Sequence, residues 1–142
     1  MMIRTGQNEK RRYTRVIFNE HTRVHAVVFF TDQQDTVQEM PASVLNMSEG
    51  GVQISIERRK FHEMRPGDTV LLSRLTGVQQ LKALKNLSMQ VIWMMDNEYL
   101  EHILLGMSFS ALTEKQRGIL CSFVENRLAL AVERGTGETS IS

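Results

Sequence analysis

The sequence has 142 residues, a length that fits one folded domain with a core of ordinary size. Hydrophobic residues make up 42% of the chain and charged residues 23%, a balance typical of globular proteins. No apolar run approaches the roughly 20 residues that span a bilayer, and the first residues lack the apolar stretch of a signal peptide. The single cysteine, Cys121, excludes an internal disulfide and fits a reducing compartment, so we expect a cytoplasmic protein.

The net charge of +1 is unevenly distributed along the chain. Residues 1–25 contain six basic side chains against two acidic ones, which gives +4 and leaves −3 for the rest. Positive charge gathered at one end suits a local anion better than a long nucleic acid, which usually needs a basic face or stripe. A nucleic acid polymer is therefore not expected as the partner.

Strand-like segments follow a polar start that predicts a flexible tail over residues 1–9. Six segments alternate apolar and polar residues or are rich in strand formers, at 23–31, 37–45, 52–57, 69–75, 87–93 and 103–109. Pro41 makes the second of them a weaker strand with an edge or a kink, and residues 77–86 allow a long hairpin loop. About six strands with short connections predict an antiparallel barrel or sandwich.

The periodicity changes at Thr113, where helical spacing begins. Thr113 and Gln116 form the sequence pattern of a capping box, and apolar residues then recur at helical intervals as far as Ala131. Gly135 stands where a helix end is expected, so the pattern predicts a helix over 113–134 and a disordered tail after it.

Two short motifs carry chemistry that suits a nucleotide. Arg11 and Arg15 precede the first apolar segment, and each offers a planar fork of donors that matches a phosphate or the O6/N7 edge of guanine. Asn46 and Ser48 add mixed donors and acceptors, and Gly51 lets the backbone bend or a ligand approach closely. A guanine nucleotide with several phosphates would use all of them.

The pair of motifs resembles the signature of the PilZ family, RxxxR followed by (D/N)xSxxG. The first stands here as Arg11-Arg12-Tyr13-Thr14-Arg15 and the second as Asn46-Met47-Ser48-Glu49-Gly50-Gly51. The segment Leu105-Gly106-Met107-Ser108-Phe109 resembles the last barrel strand of the family, and the predicted helix follows it as in the family. Either motif alone is weak, whereas both in order within this strand-and-helix pattern are more specific.

The resemblance implies a mainly β fold, a six-stranded antiparallel PilZ-type barrel with a C-terminal α-helix. It divides the chain into a tail 1–9, a PilZ domain 10–134 with barrel 16–112 and helix 113–134, and a disordered tail 135–142. It also implies a bacterial receptor that binds cyclic di-GMP as a ligand, needs no cofactor and is not an enzyme. The ligand-binding residues that it implies are Arg11, Arg15, Asn46, Ser48 and Gly51. Gly50 and Arg12 complete the predicted set, with Arg12 either stacking on the ligand or facing solvent.

Asparagine at position 46 takes the place often held by aspartate in the family. Since a carboxylate can accept from guanine N1–H and N2–H together and an amide has one acceptor oxygen, we expect a modest loss of affinity. Binding is expected to order the arginine segment and to change the surface offered to a partner protein in trans, in motility, adhesion or exopolysaccharide control. One or two ligands, and a monomer or a homodimer, stay open.

Two other functions compete with this interpretation. The chain could be a PilZ-like adaptor that acts by protein contacts without nucleotide, although its intact motifs argue against that. It could instead be an unrelated barrel that binds single-stranded nucleic acid, which usually needs aromatic residues interleaved with basic ones on the surface. The six Phe, two Tyr and one Trp fall mostly at core-like positions, so this second alternative has less support.

Metal and catalytic sites are not expected. On a strand His21 and His25 would point the same way but about 13 Å apart, too far to share a metal, and His62 and His102 have no ligand cluster around them. Cys121 falls beside the apolar stripe of the helix and is more typical of a small core residue than of a nucleophile. Trp93 and the methionines are also interpreted as core residues.

Overall fold

The computed structural model of the protein describes residues 15–19 and 22–138, without the side chains of 130–138. Within these residues seven strands and one long helix follow one another: β1 (Val16–Ile17), β2 (Val24–Thr31), β3 (Val37–Met47), β4 (Gly51–Glu57), β5 (Thr69–Thr76), β6 (Lys85–Met95), β7 (His102–Ala111) and α1 (Glu114–Glu138). Each of the six segments predicted from the sequence corresponds to one of the strands β2–β7. The predicted tail 1–9 and residues 139–142 of the predicted tail 135–142 lie outside the described residues.

The strands β2 to β7 form a closed antiparallel barrel. Their order is β3-β2-β5-β6-β7-β4, and an additional pairing between β3 and β4 closes the ring, while β1 lies outside it against the end of β3. The predicted six-stranded barrel with a C-terminal helix is confirmed. Pro41 stands opposite Val27, in the half of β3 that pairs with β2 alone before the β4 ladder begins at Ser43. This edge position explains why a residue without an N–H is accepted there.

The core fills the inside of the barrel with the inward side of each strand. In β4 the buried residues Val52, Ile54 and Ile56 alternate with half-buried polar ones, as the sequence pattern predicts. Residues 77–84 of the predicted loop 77–86 connect β5 to β6 and contain a short 3-10 turn, Gln79–Leu81, whereas residues 85 and 86 already belong to β6. This connection is more than an open hairpin loop, because it buries Val78, Leu81 and Leu84 in the same core.

The helix α1 begins with the predicted capping box. The Gln116 N–H donates to Thr113 Oγ1 (3.0 Å), and the Thr113 N–H donates to Gln116 Oε1 (2.9 Å). Leu120 and Phe123 lie on the buried side of the helix and join the barrel core. The helix continues to Glu138, so the predicted end at 134 and the predicted disorder from Gly135 to 138 are corrected. A helical glycine costs only about 1 kcal/mol relative to alanine and does not by itself end a helix.

Candidate ligand-binding site

A β-bulge in β3 turns Asn46 to the outside of the barrel. Val44 pairs with Ile54 and Asn46 pairs with Gln53, which leaves Leu45 as the extra residue. In an unbroken strand Asn46 would share the buried face of Val44. The bulge reverses this alternation, so that Met47 takes the core position at 0% exposed and Asn46 faces outward.

Ser48 shapes the tight connection between β3 and β4. Its side chain is 1% exposed, and its Oγ accepts the N–H groups of Gly50 (3.1 Å) and Gly51 (3.3 Å). The Ser48 N–H also donates to the Gly51 carbonyl (2.9 Å). This arrangement is a Ser-type turn in which the hydroxyl replaces a backbone acceptor. In the structure, therefore, Ser48 holds the motif loop in shape.

Gly51 is needed because strand β7 passes close to it. A Cβ on Gly51 would lie 2.0 Å from the carbonyl oxygen of Met107 and 3.0 Å from Cα of Ser108. The sequence predicts either a sharp bend or the close approach of a ligand at this glycine, and in the structure the group that approaches is a neighbouring strand. The adjacent Gly50 carbonyl accepts the N–H of Phe109 (3.0 Å), which fastens the loop to β7.

Arg15 joins the two motifs. Its Nη1 donates to Asn46 Oδ1 across 2.7 Å, although the two residues are 31 positions apart in the chain. The backbone makes this contact possible because β1, which begins at the next residue, pairs Ile17 with Asn46. Arg15 and Asn46 are thus brought together as expected for one site, while Arg11 and Arg12 lie outside the described residues.

Gln53 is a polar neighbour of the site that sequence reasoning did not single out. Its Oε1 accepts from Asn46 Nδ2 across 2.7 Å. The signal was present in the alternation of β4, because Gln53 stands between the buried Val52 and Ile54 and must therefore point outward. The pairing of Gln53 with Asn46 depends on the bulge, which the sequence pattern does not reveal.

Trp93 was predicted to be a core residue, and this prediction is wrong because Trp93 lies on the outer surface. A second bulge, between Val91 and Trp93, interrupts the alternation of β6 and leaves Ile92 and Trp93 both exposed, the tryptophan at 38%. Its indole covers Gly106, where a Cβ would lie 2.1 Å from Nε1. On the opposite side of β7, Gly106 pairs with Gln53. Trp93 and Gln53 therefore stand on either side of a residue that has no side chain.

Glu49 links the motif loop to the C-terminal helix. Its Oε1 accepts a hydrogen bond from the Cys121 thiol, with Sγ 2.9 Å away. This hydrogen bond to a carboxylate, together with partial burial, raises the pKa of Cys121. A raised thiol pKa disfavours the thiolate, which is the reactive form of cysteine.

Other site types find no support within the described residues. In that part of the chain no three His, Cys, Asp or Glu side chains are grouped so that they could hold a metal ion. None of the helices described there is long and apolar enough to cross a membrane.

The PilZ domain model matches residues 9–126, which is most of the chain and includes both motifs. The chain belongs to the PilZ domain family. No curated protein matches it by sequence. Seventeen chains of known structure resemble this PilZ domain in fold.

Three of these structures show the range of the similarity. The PilZ domain of YcgR from Escherichia coli with c-di-GMP is 16% identical with a TM-score of 0.57, covering 94% of this chain and 98% of that one. Bacillus subtilis MotI/DgrA, an inhibitor of motility, is 12% identical with a TM-score of 0.62, covering 84% and 51%. The K. pneumonia MrkH–c-di-GMP complex is 9% identical with a TM-score of 0.63, covering 87% and 54%.

This PilZ domain therefore spans nearly all of the isolated YcgR domain and about half the length of MotI and MrkH. At such low identities the similarity shows a shared fold. Of the seven predicted ligand-binding residues, five are described. Arg15 and Asn46 are hydrogen-bonded to each other at the end of β3, and Ser48, Gly50 and Gly51 form the hydrogen-bonded turn that follows in the chain.

Proposed function

We propose that this PilZ domain is a non-catalytic receptor for cyclic di-GMP. The observation that carries the proposal is the hydrogen bond between Arg15 and Asn46, because it unites the two motifs of the family at one place on the barrel. The proposed binding set is Arg11, Arg12, Arg15, Asn46, Ser48, Gly50 and Gly51. Structures of the related YcgR domain and of MrkH contain this nucleotide, which supports the choice of ligand.

The chemistry of Arg15 suits a phosphate of this ligand. The side chain is exposed, and among the described residues it makes a single hydrogen bond, which leaves further donors of its guanidinium for an anion. Arg11 and Arg12 precede it in the chain and would add positive charge from the same segment. Asn46 would meet a guanine edge, and Ser48, Gly50 and Gly51 would hold the loop beneath the ligand.

Binding is proposed to act on a partner protein through the surface around α1. The second motif and the segment that follows the first one already contact that helix: Glu49 bonds to Cys121, and the ring of Phe18 lies 6.0 Å from that of Phe123. A ligand that orders the arginine segment would change both contacts. Partners in motility, adhesion or exopolysaccharide control are the proposed targets. A free thiol at Cys121 fits a reducing compartment, and a cytoplasmic location is part of the proposal.

Isothermal titration calorimetry of the purified protein with cyclic di-GMP tests the receptor function. GTP and cyclic di-AMP are the controls for guanine and for the cyclic dinucleotide backbone. Saturable heat with cyclic di-GMP alone is expected, and its stoichiometry distinguishes one ligand from an intercalated pair. The absence of heat at concentrations well above micromolar would overturn the proposal and favour the adaptor that works by protein contacts alone.

A further inference from the structure

Both polar atoms of the Asn46 side-chain amide are hydrogen-bonded, each to a different residue. Oδ1 accepts from Arg15 Nη1 and Nδ2 donates to Gln53 Oε1, each across 2.7 Å. Asn46 and Gln53 are register partners on neighbouring strands, and both side chains are half-buried on the outside of the barrel. The short bridge between them is therefore fixed by the β3–β4 ladder as well as by the side chains.

The direction of these hydrogen bonds follows from chemistry. A guanidinium can only donate, so the atom of Asn46 that faces Arg15 must be its oxygen. The NH2 group of Asn46 then points to Gln53, whose side-chain carbonyl oxygen must accept the hydrogen bond. If Arg15 turns to a phosphate of a ligand, the hydrogen bond to Gln53 Oε1 is the contact that remains on the Asn46 amide, and it keeps this orientation as long as Gln53 keeps its own.

The orientation matters for recognition of guanine. The guanine edge carries two neighbouring donors, N1–H and N2–H, and an acceptor at position 46 is complementary to them. A reversed amide would set a donor against those donors and would suit the N1 acceptor of adenine instead. A carboxylate cannot present the wrong atom, whereas asparagine can, so a receptor with asparagine here needs a group that fixes the amide.

We propose that Gln53 is the positioning residue that directs Asn46 Oδ1 toward the ligand and thereby contributes to the choice of guanine over adenine. This inference rests on the proposed cyclic di-GMP function. It assigns to Gln53, which lies outside both motifs, a role that it performs through Asn46 and not by touching the nucleotide.

Replacing Gln53 with methionine, which has a similar length and no amide, tests the role. We expect Gln53→Met to weaken cyclic di-GMP binding about 10-fold, the effect of one lost hydrogen bond to a polar group, and to narrow its preference over cyclic di-AMP. In the Asn46→Asp background the same change is expected to weaken binding by less than about threefold, because a carboxylate has no NH2 group to direct. The matched control is Gln33→Met. Gln33 lies in the turn before β3, whereas Asn46 lies near the other end of that strand.

Equal weakening by Gln53→Met in both backgrounds, or unchanged affinity in the Asn46 background, would overturn the inference. A parent protein that binds no cyclic di-GMP overturns the proposed function instead. The ligand-free protein then decides the positioning role by NMR. The Asn46 side-chain amide resonances should shift in Gln53→Met and stay near their parent positions in Gln53→Glu, which keeps an acceptor. Unchanged resonances in Gln53→Met would show that Gln53 does not hold Asn46.

Discussion

Arg58 and Arg15 lie at different places on the barrel and differ in how many of their guanidinium donors are hydrogen-bonded within the described residues. Arg58, just after β4, uses all three guanidinium nitrogens on the turn between β6 and β7. Its Nε donates to the Leu100 carbonyl (2.9 Å), its Nη2 to the Asn97 carbonyl (2.5 Å), and its Nη1 pairs with Asp96 Oδ1 (2.6 Å). Arg15 donates to one amide oxygen among the described residues.

The difference separates a structural arginine from one that is available to a ligand. Arg58 supplies hydrogen-bond donors to two backbone carbonyl groups of the turn. An anion could bind its guanidinium only after three existing contacts were broken. Arg15 lies just before the two-residue strand β1 and can turn to an anion at the cost of its one hydrogen bond to a described residue. A basic residue in a sequence therefore indicates a binding site only where the fold leaves its donors uncommitted.

The sharpest test of this contrast is Arg15→Ala. We expect cyclic di-GMP affinity to fall about 10- to 100-fold, because a charged hydrogen bond to a phosphate is worth about 1.5–3 kcal/mol. The melting temperature should stay close to that of the parent, since Arg15 is exposed and makes one hydrogen bond within the described part of the chain. Calorimetric titration and thermal unfolding measure the two effects, and undiminished affinity would contradict the role of Arg15.

Arg58→Ala is expected to do the reverse. The carbonyl groups of Asn97 and Leu100 lose their donor, and the free energy of unfolding should fall by about 1–2 kcal/mol. The ion pair with Asp96 adds little because both side chains are more than a third exposed. Denaturant unfolding measures the loss. A folded Arg58→Ala protein that no longer binds cyclic di-GMP would contradict the purely structural role given to Arg58.

Lysine at each position refines the comparison with smaller effects. Arg15→Lys keeps the charge without the planar fork, so we expect a loss of affinity of roughly 3- to 10-fold, less than with alanine. Arg58→Lys can reach only part of the three-partner arrangement and should cost about 1 kcal/mol of stability. Titration and denaturant unfolding are again the measurements. Lysine that restored full stability at position 58 would show that charge, and not geometry, holds the turn.

The mildest expected effect concerns the link between the motif loop and α1. Glu49→Gln removes the carboxylate whose hydrogen bond raises the pKa of the Cys121 thiol. The thiol pKa should fall, so at a fixed mildly alkaline pH more thiolate is present and a thiol reagent reacts faster. Glu125→Gln is the control, because Glu125 acts on the thiol only through a weaker charge effect. Equal rates in parent and Glu49→Gln would rule out the link.

The barrel was predictable from the sequence because burial on one side of a strand imposes a period of two. Val52, Ile54 and Ile56 follow that period and lie in the core as expected. The capping box at Thr113 was predictable for a different reason, because it depends only on residues within one turn.

The details of the site were less predictable because they depend on bulges. An extra residue in one strand is defined only against its partner strand, and local sequence does not mark it. The bulge at Leu45 reverses the direction of Asn46, and the one before Trp93 moves that residue from the predicted core to the surface. The motif residues could be identified by resemblance, but the contact with Gln53 required the register of β3 and β4.

The position of β1 outside the closed ring gives the molecule two separate levels of stability. Among the described strands β1 pairs only with the last residues of β3, and its neighbour Phe18 donates its N–H to the Leu45 carbonyl (3.0 Å). Lifting β1 and Phe18 away breaks these few bonds and the contact between the Phe18 and Phe123 rings and exposes Val16, while every ladder of the barrel stays intact. The segment that carries Arg15 can therefore open and close many times within the lifetime of one folded barrel, at a free energy well below that of unfolding.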